Sequence, residues 1–149
     1  MANGKSKGDC FVICPIGGEG SRERSDSILE LVIKPALEEC GYNAIRADHI
    51  AKPGQITDQI IEYLIEAPLA IADLTGSNPN VVYELGIRHA AQKPTIHIIE
   101  EGGSLPFDFI QTRAIKVNSN KMGSDKMSIK EIKKHKSKIL KRKEINNLK

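Results

Sequence analysis

Short apolar runs alternate along the chain with longer segments in which apolar residues recur every three or four positions. The continuous runs are typical of strands buried on both faces, and the longer segments are typical of amphipathic helices. The pattern predicts strands at 9–14, 43–47, 69–72, 94–99 and 114–117. It predicts helices at 25–40, 55–66, 79–93 and from 128 onwards. We expect Pro35 to kink the first helix or to divide it.

Strands that alternate with helices over short connections indicate an α/β fold, in which right-handed crossovers join parallel strands. We therefore expect a parallel sheet of about five strands with helices on both faces. In such sheets ligands bind outside the carboxyl ends of the strands. Polar segments follow three of the predicted strands, at 17–25, 73–77 and 100–103. The order of elements thus predicts one ligand-binding edge.

The composition is that of an ordinary globular domain, with 40% hydrophobic and 28% charged residues. No apolar run approaches the roughly 20 residues of a membrane span, and the N-terminal segment lacks the apolar core of a secretion signal. We therefore expect a cytoplasmic protein with no membrane partner and with reduced, buried cysteines at Cys10, Cys14 and Cys40. The expected organisation is a flexible leader at 1–8, one domain at 9–117 and a basic helical tail at 118–149.

The net charge of +3 conceals two segments of opposite sign. Residues 118–149 hold 11 Lys and Arg against 3 Asp and Glu, or +8, which leaves 11 basic and 16 acidic residues, or −5, for 1–117. Such a tail could attract nucleic acid or an anionic surface. It contains no aromatic residue for base stacking, so the sequence favours a solvated helical face or a partner-binding tail over nucleic-acid recognition.

The segment after the first predicted strand combines glycines with cationic side chains just before a helix. Its candidate substrate-binding residues are Ile16, Gly17, Gly18, Gly20, Ser21, Arg22 and Arg24. Glycines let the backbone approach a ligand, and amides at a helix N-terminus favour anions. The pattern has neither the Gly-Lys-Ser/Thr of a P-loop nor the glycine spacing of the dinucleotide fingerprint. It indicates either a phosphate cradle or a flexible surface loop.

A second polar constellation begins at Asp73, the end of a predicted strand, and a helix starts soon after at Pro79, with Asn78 as its cap. Asn80 and Glu84 are four residues apart and share a helix face, and with Asp73 on the same side two carboxylates would meet across one cleft. A partly buried Glu84 could attack an anomeric carbon or stabilise an oxocarbenium ion. The alternative is that Glu84 only complements the helix dipole and Asp73 only caps a turn.

These segments also carry a family resemblance. They read, in order, Pro15-Ile16-Gly17-Gly18, Arg46-Ala47-Asp48, Ile71-Ala72-Asp73-Leu74-Thr75 and Asn78-Pro79-Asn80-Val81-Val82-Tyr83-Glu84-Leu85-Gly86. In this order they resemble the nucleoside 2-deoxyribosyltransferase-like superfamily, which includes the deoxynucleoside 5′-monophosphate N-glycosidases. The resemblance covers about 9–117. It extends to TIR-type domains, which share the flavodoxin-like architecture and cleave NAD with a helix-borne Glu.

The resemblance implies a flavodoxin-like or Rossmann-like fold in which Glu84 is the nucleophile or the oxocarbenium stabiliser. It implies substrate contacts from the Gly-rich loop and from Asp48, Asn78, Asn80 and Tyr83. It implies no cofactor and no metal, with a deoxynucleotide or NAD as substrate. It also points to domains found beside bacterial nucleotide-signalling and defence modules.

One departure from the family pattern concerns the acid that moves a proton. Ile60 stands where classical members have a catalytic Asp in the helix before the third strand, and Asp58 lies two residues earlier. Three interpretations remain open: Asp58 reaches the site through a shifted helix, Asp73 takes over, or classical transferase chemistry is lost. Arg88 is four residues from Glu84, and pairing between them would keep Glu84 ionised.

Three functions from different classes are therefore considered. The first is an enzyme that cleaves or exchanges an N-glycosidic bond, with Glu84 central and with Asp73 and Asp58 as the candidate assisting acids. The second is a non-catalytic domain that senses a nucleotide through the same cleft. The third and weakest is a nucleic-acid-associated protein that acts through 118–149. We expect a homo-oligomer in either of the first two cases.

Overall fold

The computed structural model describes residues 8–16, 21–52, 55–103, 114–118 and 126–147. The strands are β1 Gly8–Ile13, β2 Tyr42–Arg46, β3 Leu69–Asp73, β4 Thr95–Glu100 and β5 Ile115–Val117. All neighbouring pairs are parallel, and the strand order is β2-β1-β3-β4-β5. This is the order of flavodoxin-like doubly wound folds, so the predicted α/β class is confirmed. In the described part of the chain, no helix is both long and apolar enough to cross a membrane.

Within these described ranges five α-helices accompany the sheet: α1 Ser21–Ile28, α2 Lys34–Cys40, α3 Asp58–Glu66, α4 Pro79–Ala90 and α5 Lys126–Asn147. A π-helical segment, Leu29–Ile33, separates α1 from α2, and Pro35 lies in the first turn of α2. Proline has no N–H to continue the hydrogen-bond ladder, so the predicted interruption is confirmed. The start of this helical region was predicted four residues too late. Arg22 and Arg24 consequently lie in the first turns of α1 and not in a loop before it.

Both faces of the sheet are covered by helices, because alternate strand residues enter two separate cores. On one face, Cys10 and Val12 of β1 pack in a cluster with α1, α2 and the intervening π-helical segment. On the other face, Phe11 and Ile13 pack in a cluster that contains α3 and α4 residues. The second cluster holds the helix that carries Glu84 against the strands.

The C-terminal helix is part of the first core. Ile132 of α5 is 1% exposed and belongs to that cluster, and Ile129 and Ile139 pack against it. Lys133 of α5 also pairs with Glu39 of α2 at 3.2 Å. The +8 charge of 118–149 favours a solvated face or a partner-binding tail, but one side of α5 docks on the core. Three isoleucines spaced three and seven residues apart give α5 an apolar stripe that docks.

Replacing Ile132 with Ala is expected to lower the free energy of unfolding by about 2 to 4 kcal/mol, because the change leaves a cavity in a packed core. Urea denaturation monitored by circular dichroism measures the effect. Ile65 of α3 is 40% exposed, so Ile65→Ala is the matched control and should cost well under 1 kcal/mol. Equal, small effects for both variants would show that α5 does not stabilise the fold.

The topology defines where a ligand would sit. The chain leaves β1 toward β2 on one side and later adds β3 on the other, so the switch point lies between the carboxyl ends of β1 and β3. Asp73 is the last residue of β3, and the start of α4 follows after a short 3-10 turn, Thr75–Ser77. The edge that the sequence predicts for ligand binding is therefore the edge that contains the switch point of the fold.

Candidate active site at the carboxyl edge of the sheet

Arg24 links three elements at this edge. Its Nη1 lies 2.6 Å from Asp73 Oδ2, its Nε lies 2.8 Å from Glu100 Oε1, and its Nη2 donates to Thr75 Oγ1 at 3.0 Å. Burial disfavours the charge of the guanidinium, but Asp73 and Glu100 outweigh burial and raise the pKa of Arg24. α1 is thereby attached to the ends of β3 and β4. An arginine predicted to grip phosphate is already paired with two carboxylates.

Asp73 is 1% exposed, and its two carboxylate oxygens have different partners. Oδ2 accepts from Arg24, whereas Oδ1 accepts from the backbone N–H of Thr75 at 3.2 Å and from the Thr75 hydroxyl at 2.7 Å. Thr75 Oγ1 in turn accepts from the backbone N–H of Glu100 at 2.9 Å. This network fixes the turn before α4, and it gives Asp73 an anchoring position in addition to its predicted catalytic one.

Replacing Arg24 with Ala is expected to lower the free energy of unfolding by about 2 to 3 kcal/mol, because Asp73 would stay buried without its cation. The control is Arg22→Ala, which removes a neighbouring arginine whose side chain is 45% exposed and should cost less than about 1 kcal/mol. Thermal or urea unfolding of both variants measures the difference. If Arg24→Ala were as stable as Arg22→Ala, the buried network would not hold the edge together.

A second ionic network lies at the end of β2. Arg46 donates to Asp48 through Nε at 2.6 Å and through Nη2 at 2.9 Å, and Nη2 also donates to Asp26 of α1 at 2.6 Å. Arg22 Nη2 donates to Asp48 at 2.7 Å. Burial raises the pKa of Asp48, but the bonds from Arg46 outweigh this and lower it, so Asp48 is ionised at neutral pH. The candidate substrate-binding Asp48 is thus held by two arginines.

The Nη1 atom of Arg46 is a buried hydrogen-bond donor whose N–H groups are not used by the described residues. Arg46 Nη1 has no hydrogen-bond partner among the described residues. The Cys14 thiol lies close to this guanidinium, but burial raises the thiol pKa to about 12, and a thiol sulfur is a weak acceptor. Nearby, the Ser25 hydroxyl donates to the carbonyl of Pro15 and ties α1 to the segment after β1.

Glu84 is the other buried group with an unused polar atom. The α4 helix begins at Pro79, and Asn78 Oδ1 caps it by accepting from the backbone N–H of Asn80 at 2.9 Å and of Val81 at 3.2 Å. Glu84 follows in the second turn, is only 9% exposed, and has no hydrogen-bond partner at Oε2 among the described residues. Burial raises its pKa to about 7. At neutral pH this carboxyl therefore exists in both protonation states.

Arg88 does not pair with Glu84, so the proposed pairing is wrong. Arg88 is fully buried, and it donates to the carbonyls of Leu64 at 3.0 Å, Ala67 at 2.7 Å and Pro94 at 2.8 Å. Burial lowers its pKa to about 10, which leaves it cationic at neutral pH. It connects α4 to the end of α3 and to the segment before β4. The four-residue spacing correctly places Arg88 next to Glu84 along the helix, but the Arg88 guanidinium bonds to backbone carbonyls and not to the Glu84 carboxylate.

The alternative acid Asp58 lies away from the core. It is the first residue of α3 and is exposed, whereas Ile60 is 1% exposed and belongs to the same cluster as Val81 and Leu85 of α4. Two residues correspond to a rotation of about 200° around a helix. The helix is therefore not shifted in a way that would turn Asp58 into the site.

The remaining candidates divide into three groups. Asn80 and Tyr83 are exposed on α4, with Tyr83 56% exposed, and are accessible to a ligand. Ile16 is half-buried and packs against the first core. Ser21 begins α1, and its side chain is outside the description. Gly17, Gly18 and Gly20 lie outside the described residues.

Sequence reasoning assigned no individual role to several participants in the two networks, namely Asp26, Arg46, Thr75 and Glu100. Thr75 could have been found, because a threonine two residues after an aspartate is typical of a side-chain turn. Asp26 is 20 positions from Arg46 and Glu100 is 76 positions from Arg24, and no local pattern predicts such pairs, although Arg46 also bonds to Asp48 two positions on. No group of three or more His, Cys, Asp or Glu that could hold a metal occurs in the described ranges. His89 and His97 contact each other through Nε2 at 3.0 Å.

Comparisons with known proteins add a structural likeness. No protein-family model matches the chain, and no curated protein matches it. Among solved structures, the chain is similar to the CMP N-glycosidase BcmB of Clostridium botulinum, with a TM-score of 0.50 and 20% sequence identity. The match covers 74% of this chain and 88% of that chain. At this identity the likeness shows the shared fold.

Proposed function

We propose that this protein cleaves the N-glycosidic bond of a nucleotide and that Glu84 is the carboxylate that acts at the anomeric carbon. The observation that carries the proposal is the buried Oε2 of Glu84, which no described residue bonds, on the helix that follows the switch point of the sheet. Unsatisfied buried polar atoms are rare in native proteins, and carboxyl groups with strongly perturbed pKa values cluster at functional sites. The fold shared with a CMP N-glycosidase supports the same reaction class.

In the proposed step, the ionised Glu84 attacks the anomeric carbon or stabilises its developing positive charge. The bond between that carbon and the base nitrogen breaks, and its electron pair leaves with the base. Water then attacks the same carbon and gives up a proton, to solvent or to an anionic leaving base, which releases the phosphorylated sugar product and restores the carboxylate. No described cation neutralises Glu84, because Arg88 is bonded to backbone carbonyls and Arg24 to Asp73 and Glu100.

The charge state of the leaving base decides which substrate class fits. The base of an ordinary nucleotide must take up a proton as it leaves. Of the two described residues that could donate this proton, Asp58 is exposed and Asp73 is paired with Arg24. The pyridinium of NAD leaves as a neutral base without a proton. An unpaired buried carboxylate is also complementary to a cationic glycosidic nitrogen. We therefore favour an NAD-class nucleotide over a deoxynucleotide.

The phosphate of the substrate is assigned to the side of the site formed by α1 and β2. The half-exposed Arg22 and the unused Nη1 of Arg46 are donors at this side, whereas Arg24 is engaged in its buried network. The contacts expected from Gly17, Gly18 and Gly20 stay a prediction, because these residues lie outside the described ranges. This assignment changes the sequence hypothesis in one respect, since Arg24 becomes a positioning residue and Arg22 the phosphate contact.

The direct test is to incubate the purified full chain with NAD, ribo- and deoxynucleoside 5′-monophosphates and the matching nucleosides, and to detect free base by chromatography. The proposal predicts nicotinamide release from NAD. Release from deoxynucleotides alone would keep the reaction class and overturn the NAD assignment. Saturable binding of a nucleotide without any base release would instead support the non-catalytic sensing domain.

A further inference from the structure

The C-terminal helix has two chemically distinct sides. One side carries Ile129, Ile132 and Ile139, which pack on the first core. The other side carries Lys130, Lys134 and Lys138, all of them exposed. We call these three residues the basic stripe. Residues four apart on a helix are separated by about 6 Å along the axis and about 40° around it, so the stripe runs about 12 Å along α5 and turns by about 80° around it.

The basic stripe is not explained by the fold. None of its three lysines has an ion-pair or hydrogen-bond partner within the described ranges, whereas Lys133 on the same helix pairs with Glu39 at 3.2 Å. The acidic residue nearest in sequence, Glu131, lies 3.9 Å from His135. Like charges four residues apart on a helix repel each other and lower stability. A row of exposed, unpaired lysines is therefore complementary to an external anion.

Two observations select the kind of anion. An amphipathic helix that lies in a membrane surface buries its apolar side in the lipid, but here that side is packed on the protein core. Single-stranded nucleic acids are bound largely by stacking on aromatic side chains, and 118–149 contains none. Lysines are flexible point charges, and a row of them fits the regularly spaced phosphates of a duplex without reading its sequence.

We propose that the basic stripe binds the phosphate backbone of a nucleic-acid duplex without sequence preference. This inference is independent of the glycosidase reaction, because it concerns the outward side of α5 and uses no residue of the Glu84 site. It differs from the expectation based on the sequence, where the charge of 118–149 is typical of a solvated face. The difference comes from the docking of α5, which fixes the lysines in one outward row.

Fluorescence anisotropy with a labelled DNA duplex of about 20 base pairs tests this proposal over a range of salt concentrations. Each neutralised phosphate contributes about −0.9 to the slope of log affinity against log salt, so three contacts predict a slope of about −2.7 and roughly a 40-fold loss of affinity between 50 and 200 mM salt. The triple variant Lys130→Gln, Lys134→Gln, Lys138→Gln should bind at least about tenfold more weakly at low salt and show a shallower slope.

The matched control is the triple variant Lys34→Gln, Lys52→Gln, Lys93→Gln, which removes the same charge from other parts of the surface. It should change affinity by less than about threefold, since those lysines lie outside the stripe. Circular dichroism verifies that both triple variants are folded. The proposal is overturned by an absence of duplex binding at low salt, by equal losses in both triple variants, or by binding to phosphatidylserine vesicles without binding to the duplex.

Discussion

Replacing Glu84 with Gln is expected to preserve the fold and to reduce base release by at least about a hundred- to a thousandfold, which corresponds to roughly 2.7 to 4 kcal/mol of transition-state stabilisation. The amide has nearly the same shape, but it can neither attack the anomeric carbon nor balance a positive charge on it. The rate of base release from the nucleotide panel measures the effect. The matched control is Glu66→Gln on the exposed side of α3, which should retain the full rate.

The same variant makes a separate prediction about stability. Burial raises the pKa of Glu84 from 4.5 to about 7, so its ionisation opposes folding. This penalty is absent below pH 4.5, grows as the pH rises from 4.5 to about 7, and is then constant at a value of the order of 3 kcal/mol. Relative to Glu84→Gln, the unsubstituted protein should therefore lose about 2 to 3 kcal/mol of unfolding free energy between pH 5 and pH 8. A constant difference across this range would show that Glu84 is solvated.

Replacing Arg88 with Met is expected to lower the free energy of unfolding by about 3 to 5 kcal/mol. Methionine fills similar space but leaves the carbonyls of Leu64, Ala67 and Pro94 without their buried donor. Each such bond to a charged group is worth about 1.5 to 3 kcal/mol, and partial relaxation reduces the sum. Total stabilities of domains are about 5 to 15 kcal/mol, so this one change could unfold much of the protein.

Equilibrium urea denaturation measures the Arg88 effect, with Lys93→Met as the control. Lys93 precedes β4 in the same region and carries the same charge, but its side chain makes no bond to a buried carbonyl of the residues that the structure describes. The control should stay within about 0.5 kcal/mol of the unsubstituted protein. An Arg88→Met protein with unchanged stability would contradict the view that this arginine fixes α4, and with it Glu84, against α3 and β4.

The sequence predicts elements and chain order well because those depend on local patterns. Apolar runs located all five strands, and Pro35 located the interruption between α1 and α2. Asn78 and Pro79 located the start of α4 correctly, since capping is a property of adjacent residues. The position of the ligand-binding edge, at the carboxyl ends of the strands, could then be predicted from the order of the elements alone. Burial of Glu84 was also foreseeable from its apolar neighbours.

Long-range pairing could not be predicted in the same way. Arg24 and Arg88 were each assigned to a nearby ligand or carboxylate, but both are bonded to groups from distant segments. A guanidinium has five donors, and which acceptors it meets depends on how strands and helices are stacked. The docking of α5 was missed for a similar reason, because charge dominates its composition while three isoleucines decide its packing.

The most direct test of the central assignment is the pH dependence of kcat/KM for base release by the unsubstituted protein, measured alongside Glu84→Gln. This parameter reports the ionisation of the free enzyme. A carboxylate that must be ionised to react, with a pKa of about 7, predicts a rate that rises through neutral pH to a plateau, and no such rise in the Gln variant. A rate that is independent of pH between about 5 and 9, or equal in both proteins, would contradict the assignment of Glu84 as the reacting group.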